Sequence, residues 1–570
     1  MDTITHSTPI TTAKQLLDEC WNEGILYVEN REIQVTSLFD RSTREYSYSI
    51  RSITFRNCIF KKEIAMNAFF LGQNTLETPI DFGMSVFEEK VKFNTEHLIG
   101  KFNCIFKNDT SLVSGKFSAN HIDLSDAKFN GEVIIATPDK ANSESIIEIR
   151  GGSFSRFPRF DIKRLLFDFS GTKTSKTRFI GEMNIPVGTE IKNKWSFRDC
   201  LFECKVILDD VVFHSGLSFQ NTLFESGASF KGTRFENGKF DFQGVTFGNQ
   251  NEMSEAVFDN AIFNSTVEKK TMSGNGFSTD KSTEYIAKAH FQNANFYSET
   301  TFENTTFKDL ADFSGATFHR PQTFLKTDLQ GTTILSRARF KENLLFTYAK
   351  IEGNAIFRHT LFDKGLDLAL ANITGKLSFF KTEINTFPSQ HLKEKTAYDN
   401  AVEQQSVIPY ENQRETFRII KDTLYSQNNR IEGLRFRRLE LKAFEGELQQ
   451  EKWSNPDKFI NCLNGLSNKH GQDWIRSAWI TLALILSFYC LLFVGIDWPY
   501  HWDWSGEANE KALTHFIRHL AQFALPTHKI TFMEQYNPTP AFYIIDFLAR
   551  IFIGYGIYQT VAAFRKFGKN

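Results

Sequence analysis

Large apolar residues recur in this chain at alternating steps of five and six. From Phe291 the step lands on Phe296, Phe302, Phe307, Phe313, Phe318, Phe324, Leu329, Leu335, Phe340, Phe346, Ile351, Phe357, Phe362, Leu368, Ile373, Phe379 and Ile384. At the chain's 41% apolar frequency, 18 consecutive hits arise by chance about once in ten million per starting phase, so the period is a fold signal. An α-helix cannot use it, because steps of five and six rotate by about 140° and 240° and scatter the large residues over opposite sides. A strand would need a period of two. A chain that turns a corner at every step can use it, with one large residue pointing inward from each short side. Four sides make a coil of roughly 22 residues, and coils stack at the ~4.8 Å strand spacing.

The same step runs through Phe197, Phe202, Leu208, Phe213, Phe219, Phe224, Phe230 and Phe235, and through Phe82, Phe87, Phe93 and Leu98. A small residue stands two positions before many of these, as at Ala228, Thr233, Ala294, Thr300, Thr305, Ala311 and Ala316. The chain holds 59 Phe against 15 Tyr and 8 Trp, which favours the one large aromatic that carries no polar atom into an interior without partners for one. Phe291, Phe296, Phe302, Phe307, Phe313, Phe318 and Phe324 are therefore the expected core.

The stretch Ala311-Asp312-Phe313-Ser314-Gly315-Ala316-Thr317-Phe318 resembles the pentapeptide-repeat family, whose unit reads small-x-large-x-x, in its Phe-rich bacterial variant. The resemblance covers residues 51–387 and fades near 135–195 and 264–289. It implies a mainly β protein, a right-handed quadrilateral β-solenoid, with irregular coils or loops where it fades. Residues 1–50 are expected to cap the solenoid's first edge, with a helix over 11–24 that carries Leu16, Leu17, Cys20 and Trp21.

Beyond residue 387 the period stops. Residues 388–410 read as a polar linker, and 411–470 as a helical connector. Phe417, Ile420 and Leu424 lie at helical spacing, Asn428-Asn429 breaks the pattern, and a second helix resumes from Arg430. A third helix is expected from Asn455, with Pro456 at its first position and Phe459, Cys462, Leu463 and Leu466 as its apolar face. The segment 411–440 is also similar to the connector of membrane-bound members of the same family.

Residues 471–570 read as a two-span membrane domain. Residues 477–496 hold no charge and are long enough to cross a ~30 Å hydrocarbon layer. A second apolar run at 541–564 is interrupted by Asp546 and Arg550. Lys458, Lys469 and Arg476 precede the first span and Arg565, Lys566 and Lys569 follow the second, against Lys511, Arg518 and Lys529 between them. Six against three predicts an inner-membrane, multi-pass protein with both termini cytosolic, consistent with a start that lacks a secretion signal. Trp498, Tyr500, Trp502 and Trp504 mark the outer interface on this reading.

Composition narrows the function classes. Net charge is −1, and residues 291–384 hold 10 acidic against 11 basic residues, so nucleic-acid binding or mimicry is not expected. Seven scattered cysteines give no disulfide framework and no zinc site. No phosphate loop, nucleophile elbow or HExxH motif is present, so no catalytic, cofactor or metal site is expected, and His515 and His519 fit an amphipathic interfacial helix over 509–525 better than a metal centre.

The chemistry-bearing candidates are elsewhere. Asp546 and Arg550, four apart, can pair on one helix face inside hydrocarbon, and Gln559 lies further along, not clearly on that face. Arg430, Arg435, Arg437 and Arg438 put four positive charges in nine residues, fit either for anionic lipid or for a solvated, ion-paired face. Two readings follow: a membrane-anchored scaffold whose solenoid binds a protein partner, or an oligomeric pore gated through the solenoid. The expected partners are the lipid bilayer, an unidentified protein and further copies of the chain.

Overall fold

The computed structural model describes residues 7–565 except 40–42, 44–45, 47–49, 71–79, 94–99, 114–121, 137–145, 161–165, 172–175, 237, 239, 249–254, 264–276, 279–283, 286–287, 298–299, 385–388, 391–407 and 498–505. Most of the expected linker 388–410 and all of Trp498, Tyr500, Trp502 and Trp504 lie outside the described residues. Two compact units result: one holds residues 1–388 and 399–407, the other 389–398 and 408–570.

The first unit is a parallel β-solenoid. Short strands stack in ladders, the longest of sixteen strands, running from Ser7–Ile10 to Asn372–Ile373. Partners on that ladder lie one coil apart, as in Phe307 opposite Leu329, Leu329 opposite Ile351 and Ile351 opposite Ile373, which is the coil length that four alternating steps imply. From Thr177–Phe179 onwards four ladders are built side by side, so the cross-section has four sides. In the earlier coils three ladders are described, and residues 71–79, 94–99, 114–121, 137–145 and 161–165, each between the third ladder of one coil and the next coil, fall outside the described set.

The five-six alternation has a backbone cause. Eight five-residue sides in the regular run turn on a left-handed residue two positions after the leading large residue: Asn293, Asn304, Gly315, Lys326, Arg337, Tyr348, His359 and Lys381 all have φ between +52° and +70°. The amide of the following residue donates to the leading residue's carbonyl, as Ala294 to Phe291 at 3.2 Å and Ala316 to Phe313 at 3.1 Å. That is a type II turn, which needs φ > 0 at its third residue. Asn and Gly suit the position; Tyr348 and Arg337 hold it because the stacked coil outweighs local preference.

Side chains fill the interior in columns. Phe263, Phe296, Phe318, Phe340 and Phe362 stack with centroids 4.8, 4.5, 4.8 and 5.3 Å apart and planes within 10°. Adjacent columns meet edge to face, as Phe291 and Phe302 do at 5.6 Å and 80°. All seven expected core phenylalanines are at most 1% exposed, and the small residues beside them, Ala294, Thr305, Ala311 and Ala316, are fully buried. Thr327 and Thr360 satisfy their hydroxyls by donating to the carbonyls of Phe302 and Leu335, each at 2.7 Å. Buried Cys58, Cys104 and Cys200 make the same kind of contact to carbonyls of the preceding coil, to Val28, Phe82 and Phe169.

Stacking reaches beyond the boundaries expected from the repeat. Ser7–Ile10 pairs with Arg31–Ile33, and Ile25–Glu29 with Ser52–Arg56, so residues before 51 already belong to the stack and are not only a cap. Helix α1 (Ala13–Cys20), capped by Thr12, buries Leu16 and Leu17 there. A four-residue helix, α2 (Met66–Phe69), interrupts a later coil. Where the repeat fades, the ladders continue: Phe154 pairs with Phe179, and Phe263 with Phe296.

The second unit is helical: α3 (Tyr410–Ser426), α4 (Arg430–Glu447), α5 (Pro456–Asn468), α6 (Trp474–Leu492), α7 (Gly506–Phe523) and α8 (Pro540–Phe564). Helices α3 and α4 form an antiparallel hairpin around Phe417, Ile420, Leu424 and Phe436, turning at Asn428 with φ +59°. Helix α5 starts as expected, with Asn455 accepting from the Asp457 amide and Pro456 at its first position. Helix α6, extended to Gly495, and α8 are each long and apolar enough to cross a membrane.

Candidate functional site

Two buried polar residues, Asp546 and Gln559, lie along one face of α8. Phe542, Asp546, Ala549, Ile553, Gly556, Gln559 and Ala563 recur every three or four residues and are all buried, while Ile544, Phe547, Ile551 and Tyr558 on the other sides are more than half exposed. Asp546 and Gln559 thus share the inward face, which the expectation for Gln559 did not foresee. Close packing admits them: a Cβ on Gly556 would stand 2.6 Å from Thr481 Oγ1 on α6. Thr560 donates to Ser477 Oγ at 3.1 Å across the same seam. Small residues with hydroxyls between apolar helices are how backbones approach where no water is available.

At one end of this face stands an ionisable triad. Arg550 Nε donates to Asp546 Oδ2 at 2.9 Å, as the four-residue spacing predicts. The other carboxylate oxygen is taken by His528 Nε2 at 2.8 Å, from the loop after α7, with the His528 and Asp546 side chains only 4% and 5% exposed. His528 Nδ1 lies 2.7 Å from the Leu525 carbonyl. A carbonyl and a carboxylate only accept, so both bonds form only when both ring nitrogens carry a proton, unless Asp546 holds it instead. Arg550 also reaches the Pro526 carbonyl at 3.4 Å, and its second terminal nitrogen is buried without a hydrogen bond among the described residues. The triad therefore ties the loop 524–539 to α8 at two points, around a cluster of Tyr489, Leu492, Phe523, Met533 and Phe542.

At the other end Gln559 meets α5. Its Nε2 donates to Asn464 Oδ1 at 2.8 Å, Tyr555 donates to the same oxygen at 3.2 Å, and Asn468 donates to Gln559 Oε1. Asn461 continues the line by donating to the Leu441 carbonyl of α4 at 3.2 Å.

The contact of His528 with Asp546 and the three asparagines are absent from the sequence-level reading. His528 follows Pro526-Thr527 in a segment with no period, and nothing in its spacing points to Asp546 further along the chain. The asparagines had a signal: Asn461, Asn464 and Asn468 recur at three and four residues on one helix. The arginines of α4 are all exposed, and only Arg435 pairs with a carboxylate, Glu432 at 3.3 Å; Arg430, Arg437 and Arg438 make no ion pair among the described residues. His515 and His519 lie along α7 with ring centroids 6.1 Å apart, and burial depresses the His519 basicity, with His515 and Arg518 adding to it. Among the described residues no group of three or more His, Cys, Asp or Glu is placed to hold a metal ion.

A family model described as pentapeptide repeats (9 copies) matches residues 287–321, the coils built on Phe291 to Phe318. The solenoid is a pentapeptide-repeat solenoid. The match covers about one and a half coils, and the ladder on which it sits is continuous from residue 7 to residue 373. Such solenoids are commonly protein-interaction modules. No curated protein and no solved structure matches the chain.

Proposed function

We propose that this protein is a membrane-anchored scaffold: a pentapeptide-repeat solenoid that presents its outward positions to a protein partner, carried on a two-span helical unit in an inner membrane with both termini cytosolic. The observation that carries the anchoring is the exposure of apolar side chains on α6 and α8, such as Trp479 at 67%, Phe547 at 63% and Tyr558 at 67%, beside a polar face that is turned inward. Apolar surface on that scale, wrapped around buried polar groups, suits hydrocarbon and not water. The solenoid's inward positions are consumed by packing, so what it offers is surface, and the reading assigns it binding without catalysis and without nucleic acid.

A second reading is favoured by the triad. Helix α7 and its loop return between the spans onto a buried carboxylate, as a polar path through an oligomer would need. The two readings separate in reconstituted vesicles: the scaffold predicts no ion flux above empty vesicles and retention of the full-length protein in the membrane fraction after alkaline carbonate. Sustained flux sinks the scaffold in favour of the pore, and release by carbonate sinks the anchoring.

A further inference from the structure

Helix α5 is inside out for a helix in water. On its inward side Asn461, Ser467 and Asn468 are buried, at 6%, 7% and 2% exposure, while Phe459, Ile460 and Leu466 are exposed at 54%, 54% and 57%, and Trp453 just before it at 67%. The asparagines are held by α4 and α8 through the Leu441 carbonyl and Gln559, so the orientation is fixed by hydrogen bonds and the apolar side is left facing outward. Helix α5 is followed directly by α6, with Gln472, two residues before its start, donating to the Leu434 carbonyl of α4 at 2.7 Å. Arg430, Arg437 and Arg438 stand at helical spacing around that carbonyl, with no carboxylate partner among the described residues.

We propose that α5 lies in the headgroup and upper acyl region of the leaflet where α6 begins, with Trp453, Phe459, Ile460 and Leu466 against acyl chains and Arg430, Arg437 and Arg438 on anionic phospholipid headgroups. The proposal rests on α6 and α8 spanning the bilayer and deepens that reading: it names the partner class of a face the spans do not use. Three observations select lipid. The helix leads directly into α6, its asparagines are already hydrogen-bonded on the inward side, and positive charges without an ion pair among the described residues suit a negative surface. The connector is then held at the membrane by a third helix, not suspended from two.

The test uses the full-length protein in vesicles, with Cys20, Cys462 and Cys490 replaced and an environment-sensitive label at Leu466→Cys or, as control, at Leu486→Cys in α6. Nitroxide lipids report depth. The expected result is quenching at Leu466 by a shallow nitroxide and not by a deep one, quenching at Leu486 by the deep one, and a gain in shallow quenching at Leu466 when phosphatidylglycerol replaces part of a zwitterionic bilayer. That gain should vanish in a variant with Arg430, Arg437 and Arg438 all changed to Gln. No quenching at Leu466 beside normal quenching at Leu486 overturns the proposal and leaves the spans intact. No quenching at either position refutes the spanning reading and the proposal with it. Self-quenching between Leu466 labels that falls on dilution with unlabelled protein assigns the face to a second copy, and a gain that survives the triple Gln variant removes the arginines from the contact.

Discussion

At Phe313 the side chain is fully buried between Phe291, stacked 4.8 Å away, and the edges of Phe302 and Phe324. Truncation to Ala leaves a cavity that stacked neighbours on a fixed coil spacing cannot close, so Phe313→Ala should cost about 3–5 kcal/mol. Phe313→Asp should abolish folding of the surrounding coils, because a carboxylate has no partner there. A wild-type thermal melt for either variant would reject the column as core. Gly353 is constrained differently: a Cβ there would stand 1.9 Å from the Gly331 carbonyl oxygen, and one on Gly375 would stand 1.8 Å from that of Gly353. These glycines form a column one coil apart where six-residue corners stack backbone on backbone. Gly353→Ala should therefore destabilise by more than the few tenths expected of a surface site, on the order of 2 kcal/mol or more, whereas Gly188→Ala, with open space around its Cβ position, meets only its own backbone strain at φ +77°. Equal melting temperatures for Gly353→Ala and wild type would contradict the close approach.

Among the elements, α8 and the loop before it carry the testable chemistry. Removing Asp546 alone strands Arg550 and His528 in a low-dielectric site and should lower stability by about 3–5 kcal/mol. Removing Asp546 and Arg550 together leaves an ordinary apolar helix and should cost less than the single change, and His528→Ala, which leaves the Asp546–Arg550 pair intact, should also cost less. A double variant harmed as much as the sum of its singles, read by detergent-state unfolding, would show that the two do not act as a pair. If the double variant folds and assembles but loses function, the pair belongs to a polar path; if function returns too, its role is structural. The pairing of Asp546 with Arg550 was legible because four residues on a helix share a face. The third member was not, because His528 reaches Asp546 through a turn whose course depends on Met533 and Phe532 packing against Phe523 and Phe542, and on a left-handed Met533 at φ +74°.

At the scale of the whole molecule, the prediction is topological. Cysteines placed between residues 497 and 538 should react with a membrane-impermeant reagent from outside intact cells, and cysteines on exposed solenoid positions such as Tyr297 or Tyr348 should not. Reversed accessibility would invert the orientation drawn from flanking charge. The mass of the detergent-extracted particle against the 65.7 kDa chain tests association: a monomer has two spans, too few to enclose a conduit, so a monomeric particle would remove the pore reading.

Whatever repeats or is local could be read from the amino-acid chain alone. The alternating five-six step dictated a coil that turns a corner at every step around a phenylalanine interior, since each side can point only one large residue inward, and the uncharged run 477–496 dictated a long apolar helix. The helical breaks at Asn428-Asn429 and Asn455-Pro456 belong to the same class, because caps and turns act over three or four residues. Everything else depended on tertiary packing. The ladders run through stretches where the repeat fades, because a parallel coil needs its strands in register, not its intervening loops. The stack extends back to Ser7 because Ile25–Glu29 finds its partner in Ser52–Arg56, a pairing no local pattern announces. Asn461, Asn464 and Asn468 face inward while Phe459, Ile460 and Leu466 face outward, opposite to their order in water, because the inward side of α5 meets Gln559 and a backbone carbonyl that only a polar face can satisfy.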